Sequence, residues 1–353
     1  MAFRRFVSTK QFEELQRFGA HYLVPLLGGY SPFPLGVVFV LTMRCNMRCA
    51  MCVQSELRKG YVHSPQQELS LPELKATLDD LRRSFLIKPL IHVSGGEPLL
   101  HRDVMGFIAY IKKRGLRCSL TTNGLLLEGK AQELVELGLD RINVSLDGPR
   151  VVHDQVRNTP GAFDHALAGI QALARYKEER GTAAPRISIN AVLTRTSQPY
   201  MSEMVEIALQ AGVQGLSFQH LKFADDGAPM ARGDAHRLDV ERLVADMPHL
   251  TCQAGSRLAL TFFPPLNARQ TRDYYLKPAA QLGGYCLMPW FVMRIRLGGE
   301  ISPCSGYVVD NVRSKQVSLR QVWNSPRYRD FRRKLARQGV YPTCGRCCHR
   351  RYP

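Results

Sequence analysis

The sequence predicts an α/β chain: a partial (β/α)6 TIM-like barrel over residues 36–250, then a small domain of a β-hairpin and a helix over 251–353. Residues 1–35 form an amphipathic helical cap. Three observations carry this. Strand-like and helix-like stretches alternate six times from residue 36, as in parallel sheets with right-handed crossovers. Polar or glycine-rich segments follow the C-terminal ends of successive strands, where parallel barrels keep their active sites. Beyond residue 250 the composition changes, with 18 Lys/Arg against 4 Asp/Glu and six of the ten cysteines. A chain of 353 residues can bury a core of this size.

Residues 9–24 place Phe12, Leu15, Phe18 and Tyr22 on one helical side, and Pro25, Gly28 and Gly29 end the segment. It serves as a cap on the barrel or, helped by Arg4, Arg5 and Lys10, as an interfacial contact with an anionic membrane. The first strand covers about 36–42. Ser70-x-x-Glu73 is a capping box that opens a helix to about 84. The second strand, 90–93, runs into Ser94-Gly95-Gly96-Glu97-Pro98, and a helix over about 103–113 buries Val104, Phe107, Ile108 and Ile111. The third strand, about 116–121, ends at Thr121-Thr122-Asn123-Gly124, and the fourth, 141–146, at Asp147-Gly148. Strands five and six cover about 187–193 and 215–219, with helices near 128–137, 163–177 and 200–211. The stretch 222–235 lacks periodicity and reads as a loop. A hairpin fits 291–303 around Gly298-Gly299, and a helix fits 325–338.

Where the first strand runs out stands Cys45-x3-Cys49-x2-Cys52. Three thiolates this close suit a metal centre: part of a zinc site, or three of the four ligands of an iron–sulfur cubane. With three local cysteines one iron of a cubane stays open to an outside ligand. The glycine and polar segments at later strand ends agree with the cluster and are unexplained by zinc. Together, Cys45-x3-Cys49-x2-Cys52, Gly95-Gly96-Glu97-Pro98 and Ser145-Leu146-Asp147-Gly148 with His153-Asp154 and Arg157 resemble the radical S-adenosylmethionine (SAM) enzymes, in their SPASM/twitch branch. The resemblance implies a [4Fe–4S] cluster on Cys45, Cys49 and Cys52, whose open iron binds SAM. Reductive cleavage of SAM then gives a 5′-deoxyadenosyl radical. It also implies SAM contacts from Gly95, Gly96 and Glu97 to the amino group and from Ser145 and Arg157 to the carboxylate, with Asn190 reaching the ribose. Met51 stands where the family usually has an aromatic residue, and is apolar enough to pack beside adenine. For Arg157 an ion pair with Asp154 is the alternative, and for Asn190 a bond to neighbouring backbone.

The late cysteines are Cys286, Cys304, Cys344, Cys347 and Cys348. The hairpin brings Cys286 and Cys304 together. This set resembles the auxiliary-cluster region of SPASM and twitch enzymes, and implies one auxiliary [4Fe–4S] cluster on Cys286, Cys304, Cys344 and Cys347, with Cys348 able to replace Cys347. Four cysteines also suit zinc. Cys118 and Cys252 read as structural.

The net charge of +18 calls for an acidic partner — a phosphorylated substrate, an anionic lipid surface or RNA — or a solvated basic face. The expected activity is that of a radical SAM oxidoreductase that oxidises or rearranges a small polar or phosphorylated metabolite, with the auxiliary cluster in electron transfer and an external electron donor of flavodoxin or ferredoxin type. Peptide maturation and modification of an anionic lipid or polyprenyl-phosphate are the alternatives; a basic zinc protein binding nucleic acid would leave the strand-end motifs without a role. No run of about 18 apolar residues spans a membrane and the N-terminus lacks a signal-peptide layout, so the expected place is the cytoplasm, at most peripheral to a membrane. No general acid or base is assigned; His92, His153, His220 and Asp226 are weak candidates.

Overall fold

The computed structural model describes residues 28–49, 51–52, 64–222, 237–304, 307–314, 318–341 and 344–353. The expected helix at 9–24 and most of the loop at 222–235, with Asp226, lie outside the described residues. The six predicted strands are present: β1 Gly36–Val40, β2 Leu90–Ser94, β3 Cys118–Thr122, β4 Arg141–Ser145, β5 Arg186–Leu193 and β6 Gly215–His220. Their crossovers carry α1 Leu71–Ser84, α2 Val104–Lys113, α3 Ala131–Glu136, α4 Arg150–Arg157, α5 Ala162–Glu179 and α6 Met201–Gln210. The capping box holds, with the Ser70 amide donating to Glu73 at 2.8 Å.

Sequence reading missed α4, α7 Val240–Ala254, β7 Ala259–Phe263 and α8 Ala268–Leu276. β7 pairs parallel with β6, Gly215 opposite Ala259, so the sheet continues past residue 250. Its alternation is weak because most of its residues remain partly exposed at the sheet edge. The expected hairpin is β8 Val292–Ile295 and β9 Glu300–Ser302, turning at Gly299, whose φ of +87° is open to glycine at little cost. β8 pairs parallel with β1, so the hairpin extends the sheet on its other side; β10 Asp310–Asn311 adds to β9. The order is β10-β9-β8-β1-β2-β3-β4-β5-β6-β7.

Strict alternation sorts the strand residues. Val37, Phe39, Ile91, Val93, Ile142, Val144, Ile187 and Ile189 are fully or almost fully buried and join the helices in one core. Phe39 meets Phe107 of α2 edge-on at 4.9 Å. The alternate residues point into the barrel and are mostly polar: His92, Ser94, Ser119, Thr121, Asn143, Ser145, Ser188, Asn190, Ser217 and Gln219. Such a lumen suits a polar ligand better than a packed core.

The C-terminal segment adds α9 Met288–Phe291, α10 Leu319–Trp323 and α11 Pro326–Gln338. Arg332 of α11 is fully buried between the rings of Trp323 and Tyr328, at 4.1 and 4.2 Å, and bonds the carbonyls of Pro289, Gly29 and Trp323. It therefore ties α11 to α9, to α10 and to the backbone at Gly29. The chain end is anchored on α8, where Arg346 donates to the Tyr274 carbonyl at 2.6 Å and Gln270 to the Tyr352 carbonyl at 3.0 Å. Cys118 is buried in β3 as expected, whereas Cys252 lies exposed on α7 and has no packing role. Among the described residues no helix is long and apolar enough to cross a membrane.

Candidate active site and second cysteine cluster

The loop after β1 is fixed at its root by the two segments beside it. Gly96 donates to the Thr42 carbonyl and Glu97 to the Arg44 carbonyl, both at 2.7 Å. A Cβ on Gly95 would fall 2.7 Å from the Thr42 oxygen, and one on Gly96 2.2 Å from the Arg44 oxygen. The glycines thus make room for the backbone that carries the cysteines, a role the sequence reading gave to a ligand. From the other side, Glu68 accepts from the Thr42 hydroxyl and from Arg44 at 3.3 Å, while Arg44 also caps the Leu100 carbonyl at 2.7 Å. Nothing in the sequence marked Glu68, which lies 23 positions from Cys45 in a polar stretch.

Glu97 departs from expectation. It is 1% exposed, and its carboxylate accepts from the amides of Leu99 at 3.0 Å and Asn123 at 2.7 Å and from the Thr122 hydroxyl at 2.9 Å. Burial raises its pKa and these donors oppose the rise. The carboxylate therefore clamps β2 to β3, and what this segment offers a ligand is its backbone. Asn123, which the sequence reading left out of the site, donates to Asn46 at 2.8 Å and to the Cys45 sulfur at 3.8 Å.

Arg157 departs too. It pairs with Asp147 rather than Asp154: Nε reaches Oδ2 at 2.5 Å, one terminal nitrogen reaches Oδ1 at 3.0 Å, and the other lies 3.8 Å from the Cys49 sulfur. Asp154 instead accepts the amides of Gly161 and Phe163. Burial works against the Arg157 charge, yet Asp147 and Cys49 outweigh it and keep the guanidinium protonated. Burial raises the Cys49 pKa while Arg157 pulls it down, so a cation is already in place for a thiolate. Met51 is buried with Met47, Cys49, Val152 and Val156 and braces the loop against α4. Ser145, at the end of β4, stands in register with Asn190 in the middle of β5. Among the described residues neither side chain makes a hydrogen bond, which leaves both open to a ligand.

Of the four acid–base candidates, His153 and His220 are core groups. His153 is fully buried and accepts the Asp147 amide at 3.0 Å; His220 bonds the Tyr275 hydroxyl at 3.0 Å among aromatic rings. Among the described candidates His92 is the one that faces the lumen, bonded to Ser119 at 2.8 Å, with burial and then Arg294 taking its pKa down to about 4.

The second cysteine set converges. The Cys286 thiol is pushed up to about 12, first by burial and then by the neighbouring Cys347, Cys304 and Cys344. Cys286 and Cys304 pack against Trp290, Phe331 and Leu335, and the Cys344–Cys347 turn is closed by an amide-to-carbonyl bond of 3.0 Å. Cys347 and Cys348 share a hydrogen bond that pulls the Cys347 thiol down and pushes the Cys348 thiol up. Cys286 thus has Cys347, Cys304 and Cys344 as its thiol neighbours, a donor set of the kind that holds an iron–sulfur cluster or zinc.

Residues 39–194 match the radical SAM superfamily and residues 286–348 the SPASM iron–sulfur cluster-binding domain. The chain is 34% identical over 212 residues to the Fe-coproporphyrin III synthase of Methanosarcina barkeri, covering 60% of this chain and 50% of that protein, so it spans about half of that relative's length. It is 26% identical over 317 residues to the PqqA peptide cyclase of Xanthomonas euvesicatoria, covering 84% of this chain and 75% of that protein. Among solved structures, Streptococcus suis SuiB bound to S-adenosylmethionine superposes with a TM-score of 0.66 at 18% identity over 92% of this chain and 74% of that one, a likeness of fold. The chain carries a radical SAM domain and a SPASM domain, and the cofactors that go with them are a [4Fe–4S] cluster, SAM and an auxiliary iron–sulfur cluster.

Proposed function

We propose that this enzyme carries out a net two-electron oxidation of a small polar, carboxylate- or phosphate-bearing substrate held in the barrel lumen, with carboxylated tetrapyrroles as the first substrate class to try. The observation that carries the reading is the placement of the two cysteine sets. The Cys45 loop lies at the C-terminal end of β1, and Cys286 and Cys304 lie at the opposite end of the parallel neighbour β8. The polar lumen lies between them, about 16 Å long at 3.3 Å per strand residue. When bound, SAM with its cluster supplies a 5′-deoxyadenosyl radical that takes a hydrogen atom, and the auxiliary cluster supplies a one-electron acceptor. Cys45, Cys49 and Cys52 would hold the first cluster, and Cys286, Cys304, Cys344 and Cys347 the second. The backbone of Gly95 and Gly96 with Ser145 and Asn190 would seat SAM, while Glu97 and Arg157 position that seat from within the protein. An external electron donor of flavodoxin or ferredoxin type completes the cycle.

The tetrapyrrole class is supported by the Fe-coproporphyrin III synthase relative. Peptide modification is the second reading, favoured by the length of the match to PqqA peptide cyclase. Anaerobic holoenzyme with SAM, dithionite and Fe-coproporphyrin III should form 5′-deoxyadenosine faster than without the porphyrin. Stimulation by a peptide and none by the porphyrin would transfer the reading to peptides.

A further inference from the structure

α11 divides into two faces. At about 100° per residue, Tyr328, Phe331, Arg332 and Leu335 share one side and are buried, while Arg327, Asp330, Arg333, Lys334 and Arg337 fall within about 120° on the other. Phe331 and Leu335 belong to the apolar wall on which Cys286 and Cys304 lie. The Phe331 ring also meets Tyr307 at 4.7 Å and Tyr341 at 5.0 Å between centroids. Tyr307 donates its amide to the Cys304 carbonyl at 3.4 Å, and the Tyr341 carbonyl accepts the Cys344 amide at 2.8 Å. The inner face therefore holds the segments of Cys286, Cys304 and Cys344, and the outer face lies one helix diameter away, about 10–12 Å.

The outer face carries more positive charge than it answers. Asp330 pairs with Lys334 at 2.9 Å and with Arg333 at 3.7 Å, so one carboxylate serves two cations. Among the described residues the side chains of Arg327 and Arg337 have no hydrogen-bond or ion-pair partner. Cations elsewhere in the C-terminal region are matched: Arg272 by Glu241, Lys277 by Asp273, Arg313 by Glu73. Arg327 and Lys334 stand one turn either side of Phe331, where Tyr307 and Val308, 37% and 45% exposed, add an apolar centre. A small apolar centre flanked by one sign of charge, along a helix about 20 Å long, suits the small and brief encounters of electron-transfer proteins. RNA or an anionic membrane would also meet such charge, but neither has a use for the cysteines behind the helix.

We propose that the outer face of α11, with Tyr307 and Val308 beside it, docks an acidic one-electron carrier protein of flavodoxin or ferredoxin class, which exchanges one electron with the auxiliary cluster. The direction of flow rests on that cluster being the acceptor in the two-electron oxidation proposed above. There the substrate radical gives one electron to the cluster and one proton to water. The carrier arrives oxidised, takes that electron and leaves reduced by one, so the cluster is ready for the next turnover.

The test uses full-length holoenzyme: wild type, Arg327→Glu with Arg337→Glu, and the same two positions changed to Lys. Arg175→Glu with Arg242→Glu, exposed on α5 and α7, is the control of equal charge. Each is titrated at low and high salt with an acidic flavodoxin, an acidic ferredoxin, poly(U) RNA and phosphatidylglycerol vesicles. Stopped-flow absorbance follows electrons between reduced holoenzyme, freed of dithionite, and oxidised flavodoxin. Wild type should bind a carrier more weakly as salt rises. The Glu pair should lose roughly tenfold to hundredfold in carrier affinity and in the rate of flavodoxin reduction, with iron content and dithionite-driven SAM cleavage unchanged. The Lys pair and the control pair should match wild type. Should the Glu pair lose iron, Arg327→Gln with Arg337→Gln decides by the same readouts, with a smaller loss in the same direction. A carrier that binds through this face and only delivers electrons, none leaving the reduced auxiliary cluster, keeps the docking site and removes the two-electron reading. Equal carrier binding by wild type and the charge-changed pair, no carrier binding at all, or a charge effect confined to RNA or vesicles overturns the docking site.

Discussion

Gly96→Ala tests how the cysteine loop is held. The new Cβ would stand 2.2 Å from the Arg44 oxygen and 2.7 Å from the Met43 oxygen, both backbone. An ordinary carbon–oxygen contact is about 3.3 Å, so the loop must retreat by about 1 Å. That movement breaks the 2.7 Å bond from Glu97 to Arg44. Overpacking costs about 1–3 kcal/mol and an abandoned buried carbonyl a further 1–3 kcal/mol or so, a total of roughly 2–6 kcal/mol. Gly129→Ala is the control, because its Cβ would meet nothing within 4 Å. Denaturant midpoints and iron content of both reconstituted variants decide the matter. Gly96→Ala should unfold earlier and lose the iron held by the Cys45 loop, while Gly129→Ala matches wild type. Full iron and an unshifted midpoint in Gly96→Ala would refute the argument that the glycines seat the loop.

Arg157→Met leaves Asp147 buried without its cation and should cost about 3–5 kcal/mol in denaturant unfolding; a change under about 1 kcal/mol would show the pair to be dispensable. Cys347→Ser should lower auxiliary iron while Cys348→Ser retains it, read by iron count; the reverse pattern makes Cys348 the ligand. Stability should rise with pH between about 4 and 6.5. His153 and His220 are taken down to about 4 from an ordinary 6.5, mainly by burial, so in that window the unfolded chain binds more protons. Each contributes up to roughly 3 kcal/mol that is present above pH 6.5 and lost as pH falls toward 4. Denaturant midpoints at pH 7 and pH 5 measure this, and His220→Phe should shrink the difference; identical midpoints in wild type would contradict it.

The barrel was legible because its strands and helices carry their own periodicity: Ile91 and Val93 alternate with His92 and Ser94, and Ser70 and Glu73 announce a helix start. The motifs at strand ends were legible because cysteine spacing and paired glycines are rare without a reason. What the residues of those motifs do was harder to read. Glu97 looks like a ligand in the sequence, yet three donors from β3 and its own turn fill its oxygens. Arg157 has Asp154 as its obvious helical neighbour, but the partner it finds, Asp147, comes from the strand end that folding brings alongside. β8 joining β1 was hidden as well, because parallel pairing across more than 250 residues leaves no local mark.

The central claim is that two iron–sulfur clusters face one lumen. Its most direct test is the count of iron, sulfide and zinc in anaerobically reconstituted protein, beside a triple Cys45→Ala, Cys49→Ala, Cys52→Ala variant. About eight irons per chain, falling to about four in the variant and without zinc, is the predicted result. About four irons falling to none, with about one zinc in both, would make the C-terminal cysteines structural and contradict the proposed electron acceptor.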